Sequence, residues 1–349
     1  MTVLVTGATG LLGSHLTDLL LERGQHVRVL VQRGDCVSQL AHPNVEICWG
    51  DMKEAFTSAC GGGDCAALAA AVRGVDRVLH CAARTGPWGR AADYEAVNVR
   101  GLQTLVESAL AAGVRRFVHV SSITVHGNDV HGTADETAPL RVEPNPYSRS
   151  KVAGERLLAR LIREQGAPVT IVRPGWIYGP RDVASFARFA AMIQRGKMVI
   201  IGSGCNHIPL IYVRDVAQGI LLASEEAQAA GRAYLLVNDE PVTQQGYLAA
   251  IAAELGVPPS RRHIPYRLAL MLGTAAETVG RLGRRTSPPP VMRYGVQMLG
   301  GENRFDISRA RHELGFSPQI NLTEGVRRSV AWYRTTMISD HGLVASETC

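Results

Sequence analysis

The chain has 349 residues, 46% hydrophobic and 19% charged, a balance that suits one large globular domain or a large domain with a smaller companion. No apolar run approaches the ~18–20 residues that span a bilayer. The 37 basic against 31 acidic side chains give a net charge of +6, yet they are scattered and form no basic run of the kind that binds nucleic acid.

Residues 2–6 are β-branched and apolar, the next stretch is opened by glycines, residues 11–23 have the spacing of an amphipathic helix, and residues 26–31 are again strand-like. This is a βαβ unit. The N-terminus carries no basic leader, so the expected compartment is the cytoplasm. Further strands are predicted at 45–49, 77–80, 117–120 and 169–173, with a helix over 94–111 among them. Strands alternating with helices predict an α/β fold with a Rossmann-type, doubly wound parallel sheet. The seven cysteines lack zinc-type spacing, so no metal is expected and the thiols read as reduced; Cys60-Gly-Gly-Gly-Asp-Cys65 reads as a glycine-rich insertion, with a local disulfide or metal loop as the alternative.

After about Pro174 the rhythm changes. Helices are predicted at 186–195, 216–224 and 267–281, an extended piece at 198–201, and a stiff loop at Ser287-Pro-Pro-Pro290. The expected division is a dinucleotide-binding core over 1–175 with further core elements near 205–240, a smaller substrate lobe over 176–337, and a fraying tail over 338–349.

Gly7-Ala-Thr9-Gly10-Leu11-Leu12-Gly13 lies between the first strand and the first helix, where glycines admit a pyrophosphate and the helix N-terminus offers free amides to anionic oxygen. An acid closing the second strand would bind the ribose hydroxyls of NAD, but the chain reads Val31-Gln32-Arg33 there. Arg33 is suited to a 2′-phosphate, which favours NADP, while nearby Asp35 keeps NAD open. Asp51 is placed to meet the adenine edge or to cap a turn.

Tyr147-Ser-Arg-Ser-Lys151 stands out because only Lys53, Lys151 and Lys197 occur in the chain. Asn145-Pro146 supplies an N-cap and a first-turn proline, which puts Tyr147 and Lys151 one helical turn apart on a single face. An ammonium group beside a phenol favours the phenolate, so the pair is expected to lower the tyrosine pKa and make it an acid/base near neutrality.

With these motifs in place, the chain resembles the extended short-chain dehydrogenase/reductases. Supporting pieces are the glycine loop, His80-Cys-Ala82-Ala83, Asn98-Val-Arg-Gly, Val120-Ser-Ser-Ile, the Tyr147/Lys151 pair and Arg173-Pro174-Gly175-Trp-Ile-Tyr178-Gly-Pro, in family order down to Val216-Ala217. The resemblance implies Tyr147 as catalytic acid/base, Lys151 as the partner that lowers its pKa and holds the nicotinamide ribose, and Ser122 as the hydroxyl that bonds the substrate oxygen, with Ser121 as the neighbouring alternative. Asn98 resembles the asparagine that orders a proton-relay water, with a structural role as the alternative. Cofactor contacts implied are Gly7, Thr9, Gly10, Leu11, Leu12, Gly13, Arg33, Asp51, Met52, Ala82, Ala83, Tyr147, Lys151, Pro174 and Gly175.

Gly86-Pro-Trp88-Gly, Asn238-Asp-Glu-Pro-Val-Thr and Leu314-Gly-Phe-Ser-Pro further resemble the 3β-hydroxysteroid dehydrogenase, sterol dehydrogenase-like and 3-oxoalkanoate reductase group. The function implied is NAD(P)-dependent interconversion of a ketone and a secondary alcohol, with NADP expected and NAD as the alternative. The substrate expected is a bulky, apolar small molecule such as a steroid, polyketide or β-keto acid, with Trp88, Ser122 and Tyr178 as contacts and Phe186, Leu270 and Met271 adding to an apolar pocket. Alternatives are a nucleotide-sugar epimerase of the same fold and a non-catalytic redox sensor. Dehydratases of the fold carry Asp-Glu directly after the catalytic hydroxyl, where this chain has Ile123-Thr124. A homodimer is a family-level expectation; neither nucleic acid nor a membrane span is expected.

Overall fold

The computed structural model describes residues 1–53 and 63–338. Cys60, which opens the glycine-rich insertion, and the tail from 339 onward lie outside the described residues, as does the side chain of Cys65.

Seven strands, β1 (Thr2–Thr6), β2 (His26–Val31), β3 (Val45–Trp49), β4 (Arg77–His80), β5 (Arg116–Val120), β7 (Val169–Pro174) and β11 (Ala233–Leu236), form one sheet in the order β11-β7-β5-β4-β1-β2-β3. Every pairing in it is parallel. Strand β6 (Val130–Ala134) pairs with β13 (Asn303–Phe305), β8 (Trp176–Tyr178) with β10 (Leu210–Tyr212), and β9 (Ile200–Ile201) with β12 (His263–Ile264). All three of these small ladders are parallel.

Alternation along β1 explains the layering. Val3 and Val5 point into one apolar cluster, shared with the helices Leu11–Glu22 and Val213–Glu225, while Leu4 points into another with Leu68, Leu102, Leu105 and Leu158 on the opposite face. Both faces of the sheet are therefore covered. Strand order reverses at β1, which lies between β2 and β4, and a crevice at such a switch point is where this architecture receives ligands.

Of the elements expected from sequence, the strands at 2–6, 26–31, 45–49 and 77–80 occur at those bounds. The single helix expected over 94–111 is instead Ala91–Glu95, a wider π-type turn at Ala96–Gly101, and Leu102–Ala111. Close approach of backbone accounts for Gly101, because a Cβ there would stand 2.5 Å from the Met52 carbonyl oxygen. The extended piece expected at 198–201 shrinks to Ile200–Ile201.

Candidate active site

The glycine loop is built by contacts that leave no room for side chains. Gly7 has φ of 71°, and a Cβ on it would lie 2.8 Å from the Ala82 amide nitrogen. On Gly13 a Cβ would lie 2.1 Å from the Gly7 carbonyl oxygen. The Gly10 amide closes the turn on Gly7 O at 3.0 Å and Ser14 N reaches Gly10 O at 3.0 Å, so the amides of Leu11, Leu12 and Gly13 are the open donors of the helix Leu11–Glu22. Such a bare, amide-rich cradle fits a dinucleotide pyrophosphate. Gly13→Ala is expected to weaken folding and dinucleotide binding together by about 1–3 kcal/mol, measurable as a lower melting point and a raised Kd by fluorescence titration.

Thr6 ties the loop to β4. Its hydroxyl accepts from Ala82 N at 3.1 Å and therefore donates to His80 Nδ1 at 2.8 Å. Burial, with Lys151 adding to it, pushes the His80 pKa down to about 3, consistent with a neutral ring that accepts at Nδ1. Ala82 and Ala83 stay half-buried beside the loop.

At the end of β2, Asp35 accepts from the Thr9 hydroxyl at 3.2 Å and from Gln32 N at 3.3 Å. Asp51 accepts from Lys53 N at 2.7 Å and Gln32 Nε2 at 3.0 Å, the bonding of a turn cap. Met52 is buried. Arg33 is exposed and makes no hydrogen bond or ion pair among the described residues.

The helix Pro146–Gln165 starts as its sequence dictates, with Asn145 Oδ1 accepting from Ser148 N at 2.8 Å and Pro146 in the first turn. Lys151 is buried, donates to the Val120 carbonyl at 2.7 Å, and sits 6.0 Å from the Tyr147 ring centroid. Burial lowers its pKa to about 8, with Glu155 working in the opposite direction. Tyr147 departs from expectation: its pKa is raised, because burial of the phenol outweighs a hydrogen bond from Ser122 that pulls it down. The lysine charge is directed at a backbone carbonyl rather than at the phenol, so the protein alone does not produce the expected lowering.

Ser122 Oγ accepts from Thr124 N at 3.2 Å and Thr124 Oγ1 at 3.1 Å, which leaves its own proton to donate. Ser121 points the other way and donates to Glu155 Oε1 at 2.5 Å. Glu155 is paired with Arg173 at 2.6 Å, and Arg173 also reaches the Glu136 carbonyl and His126 Nε2, each at 3.1 Å. All are buried, and Glu155 lies near enough to Lys151 to act on it electrostatically, so a buried polar network adjoins the lysine. His126 is a neutral part of it, its pKa held at about 4 by burial and Arg173.

Asn98, in the π-type turn, accepts from Arg84 N at 2.8 Å and donates to Arg84 O at 3.0 Å and Ser150 Oγ at 2.8 Å. It staples the loop after β4 to the Tyr147 helix. Tyr94 holds the rest of that loop, donating to Gly86 O at 2.7 Å and Trp88 O at 2.8 Å. Trp88 reaches across to the helix Tyr266–Leu282: its Nε1 donates to Arg285 O at 3.2 Å, and a Cβ on Gly280 would lie 3.1 Å from its ring.

Three expected pocket residues are placed elsewhere. Tyr178 is buried in the core, its ring centroid 5.7 Å from that of Tyr212 and 5.6 Å from that of Tyr247, with Gly325 against its hydroxyl. Phe186 is fully buried, and Met271 is 68% exposed to solvent. The β8 strand and the helix Phe186–Gln194 direct these rings into the apolar cluster that also holds Tyr212 and Tyr247, a packing demand that the local pattern does not reveal. Pro174 ends β7, and a Cβ on Gly175 would lie 2.2 Å from the Pro209 carbonyl oxygen. Sequence reasoning missed Tyr294, which neighbours Tyr147 closely enough to interact with it electrostatically; burial, and secondarily Tyr147, raise its pKa. It comes from the helix Arg293–Gly300, and only the fold brings it near.

Comparison with known proteins bears on the family and the fold. Residues 3–236 match the NAD dependent epimerase/dehydratase family. The 2-alkyl-3-oxoalkanoate reductase of Stenotrophomonas maltophilia is 30% identical, with 94% of this chain and 98% of that protein covered. The decarboxylating sterol-4-alpha-carboxylate 3-dehydrogenase of Mus musculus is also 30% identical, over 93% of this chain and 89% of that protein. Among solved structures, the dTDP-glucose 4,6-dehydratase DesIV of Streptomyces venezuelae with NAD bound superimposes with a TM-score of 0.77 at 26% identity, covering 97% of this chain and 98% of that one. The cradle at Gly7–Gly13, the switch point beside it and these matches lead to one conclusion: the chain belongs to the NAD dependent epimerase/dehydratase family, and it is an oxidoreductase of the extended short-chain type.

Proposed function

We propose that the chain interconverts a ketone and a secondary alcohol on a bulky, apolar substrate, with Tyr147 as the acid/base. The observation that carries the reading is the convergence of Ser122, Tyr147 and Lys151 at the C-terminal end of β5, with Lys151 Nζ bonded to Val120 O at 2.7 Å. A bound nicotinamide supplies or accepts the hydride. Ser122, whose proton rests on Tyr147 until a carbonyl arrives, and Tyr147, held protonated by burial, together hydrogen-bond a carbonyl oxygen and fix its position. Tyr147 then gives its proton to the developing alkoxide. Lys151, 6.0 Å from the Tyr147 ring centroid and bonded to the Val120 carbonyl, would act chiefly by holding the nicotinamide ribose. Asn98 holds the loop that borders the site through Arg84.

Residues 1–175 and β11 form the cofactor-binding part in this reading, and residues 176–337 mainly shape the substrate cleft. Trp88 supports an apolar wall, since it bridges the loop after β4 to the helix Tyr266–Leu282. The names of the relatives, an oxoalkanoate reductase and a sterol dehydrogenase, support the same substrate class. Dehydration is disfavoured because Ile123 and Thr124 offer no carboxylate and the Thr124 hydroxyl is spent on Ser122.

NADP is the preferred cofactor. Arg33 is exposed and unengaged among the described residues, free to meet a 2′-phosphate, whereas the Asp35 carboxylate already bonds Thr9 and Gln32. Arg33→Ala is expected to weaken NADP binding about ten- to a hundredfold and leave NAD binding unchanged, read by calorimetric titration of both. Equal loss for the two would point to Asp35 and NAD instead. The activity is tested by following nicotinamide absorbance with β-keto esters, 3-ketosteroids and nucleotide sugars. Turnover of the first two classes is expected; turnover of nucleotide sugars alone, or none at all, would overturn the reading.

A further inference from the structure

The helix Tyr266–Leu282 is oriented with its apolar face outward. Eleven large hydrophobic side chains are exposed among the described residues, and five of them belong to this helix: Leu268 at 44%, Met271 at 68%, Leu272 at 50%, Val279 at 67% and Leu282 at 80%. Steps of four, three, four and three residues link Leu268, Leu272, Ala275, Val279 and Leu282, so with Met271 they occupy a single arc of about 100°. The buried positions Ala269, Gly273 and Gly280 lie on the other side, against the protein. Small residues inward and large ones outward reverse the pattern that would bury such a helix in a core.

Charge decides what covers this face. Arg267, Arg284 and Arg285 are exposed at its two ends, and none has a carboxylate partner among the described residues. The only acid on the helix, Glu277, is half-buried and occupied with Arg293 N at 2.7 Å and with Arg281 at 3.8 Å. A second copy pairing through this stripe, parallel or antiparallel, would bring arginine clusters together, which costs stability without a counter-charge. A bilayer carrying anionic headgroups satisfies both halves of the surface, since acyl chains take the Leu, Met and Val side chains while phosphates take the guanidinium groups. No helix among the described residues is long and apolar enough to cross a membrane, so this one lies in the plane of the interface.

We infer that the helix Tyr266–Leu282 docks the protein onto an anionic lipid surface. The inference does not depend on the substrate assigned above. Its geometry does place the docked helix beside the candidate site, because a Cβ on Gly280 would lie 3.1 Å from the Trp88 ring and Trp88 belongs to the loop that follows β4.

The test is co-sedimentation of the full chain with vesicles of phosphatidylglycerol and phosphatidylcholine in equal parts, against vesicles of phosphatidylcholine alone. Binding to the anionic vesicles is expected, weaker on the neutral ones and reduced by high salt. The double substitution Leu272→Glu with Val279→Glu, at positions already facing solvent, is expected to cut the bound fraction at least about tenfold, with melting temperature and dinucleotide binding unchanged. Absence of wild-type binding, or binding that survives the double substitution, would overturn the inference. So would a dimer in sedimentation velocity that the double substitution dissolves in the absence of lipid, since the face would then belong to a second copy.

Discussion

Replacing Tyr147 by Phe is expected to lower ketone reduction by about 10²–10⁴-fold while dinucleotide affinity stays close to that of the unaltered protein. The ring and its packing survive the change, and only the proton donor and one hydrogen bond with Ser122 are lost. The pH profile gives a second reading of the same group. Burial raises the Tyr147 pKa, so the phenol keeps its proton through neutrality, and reduction should hold steady there and fall as pH rises through that pKa. Oxidation needs the phenolate and should gain over the same range. A profile unchanged in Tyr147→Phe, or retained turnover, would remove Tyr147 from the chemistry.

The largest effect on stability is expected at Arg173. Its guanidinium contacts Glu155 at 2.6 Å and reaches the Glu136 carbonyl and His126 as well, all away from water. Arg173→Met would leave the Glu155 carboxylate buried with Ser121 and no cation bonded to it, at a cost of about 3–5 kcal/mol, measurable by urea unfolding. Adding Glu155→Leu to that variant removes the stranded charge and should restore most of the loss, since an ion pair of this kind is costly to break and cheap to replace as a whole. The double variant should also depress the Lys151 pKa below about 8, because the Glu155 carboxylate does the most to hold it up against burial.

The β1–β4 half of the sheet was legible in the sequence because each strand there is a short apolar run bounded by glycine or polar residues. The parallel order was legible because helices alternate with those strands. The glycine loop and the Tyr147/Lys151 pair were legible for a different reason: each is a local pattern whose chemistry depends on spacing along one element. The direction of the Tyr147 shift was not, since it depends on how deeply the phenol is enclosed and on where Lys151 Nζ finds a carbonyl. Nor was the placement of Tyr178, Phe186 and Met271, for an aromatic or thioether side chain reads the same in a pocket, in a core or on an exposed helix. Tyr294 was invisible because its nearness to Tyr147 is made by the path of the chain, with no signal within either segment.

The wide turn at Ala96–Gly101 sets a rotational phase within what would otherwise be one continuous helix. An extra residue in a helical turn shifts everything beyond it by about 100° about the axis. Upstream, Tyr94 must face the loop after β4; within the turn, Asn98 must reach Arg84 and Gly101 must clear the Met52 carbonyl; downstream, Leu102 and Leu105 must face the apolar layer. The turn thus works as a phase adjuster between two sets of contacts. A one-residue insertion or deletion there would satisfy the site or the core and not both.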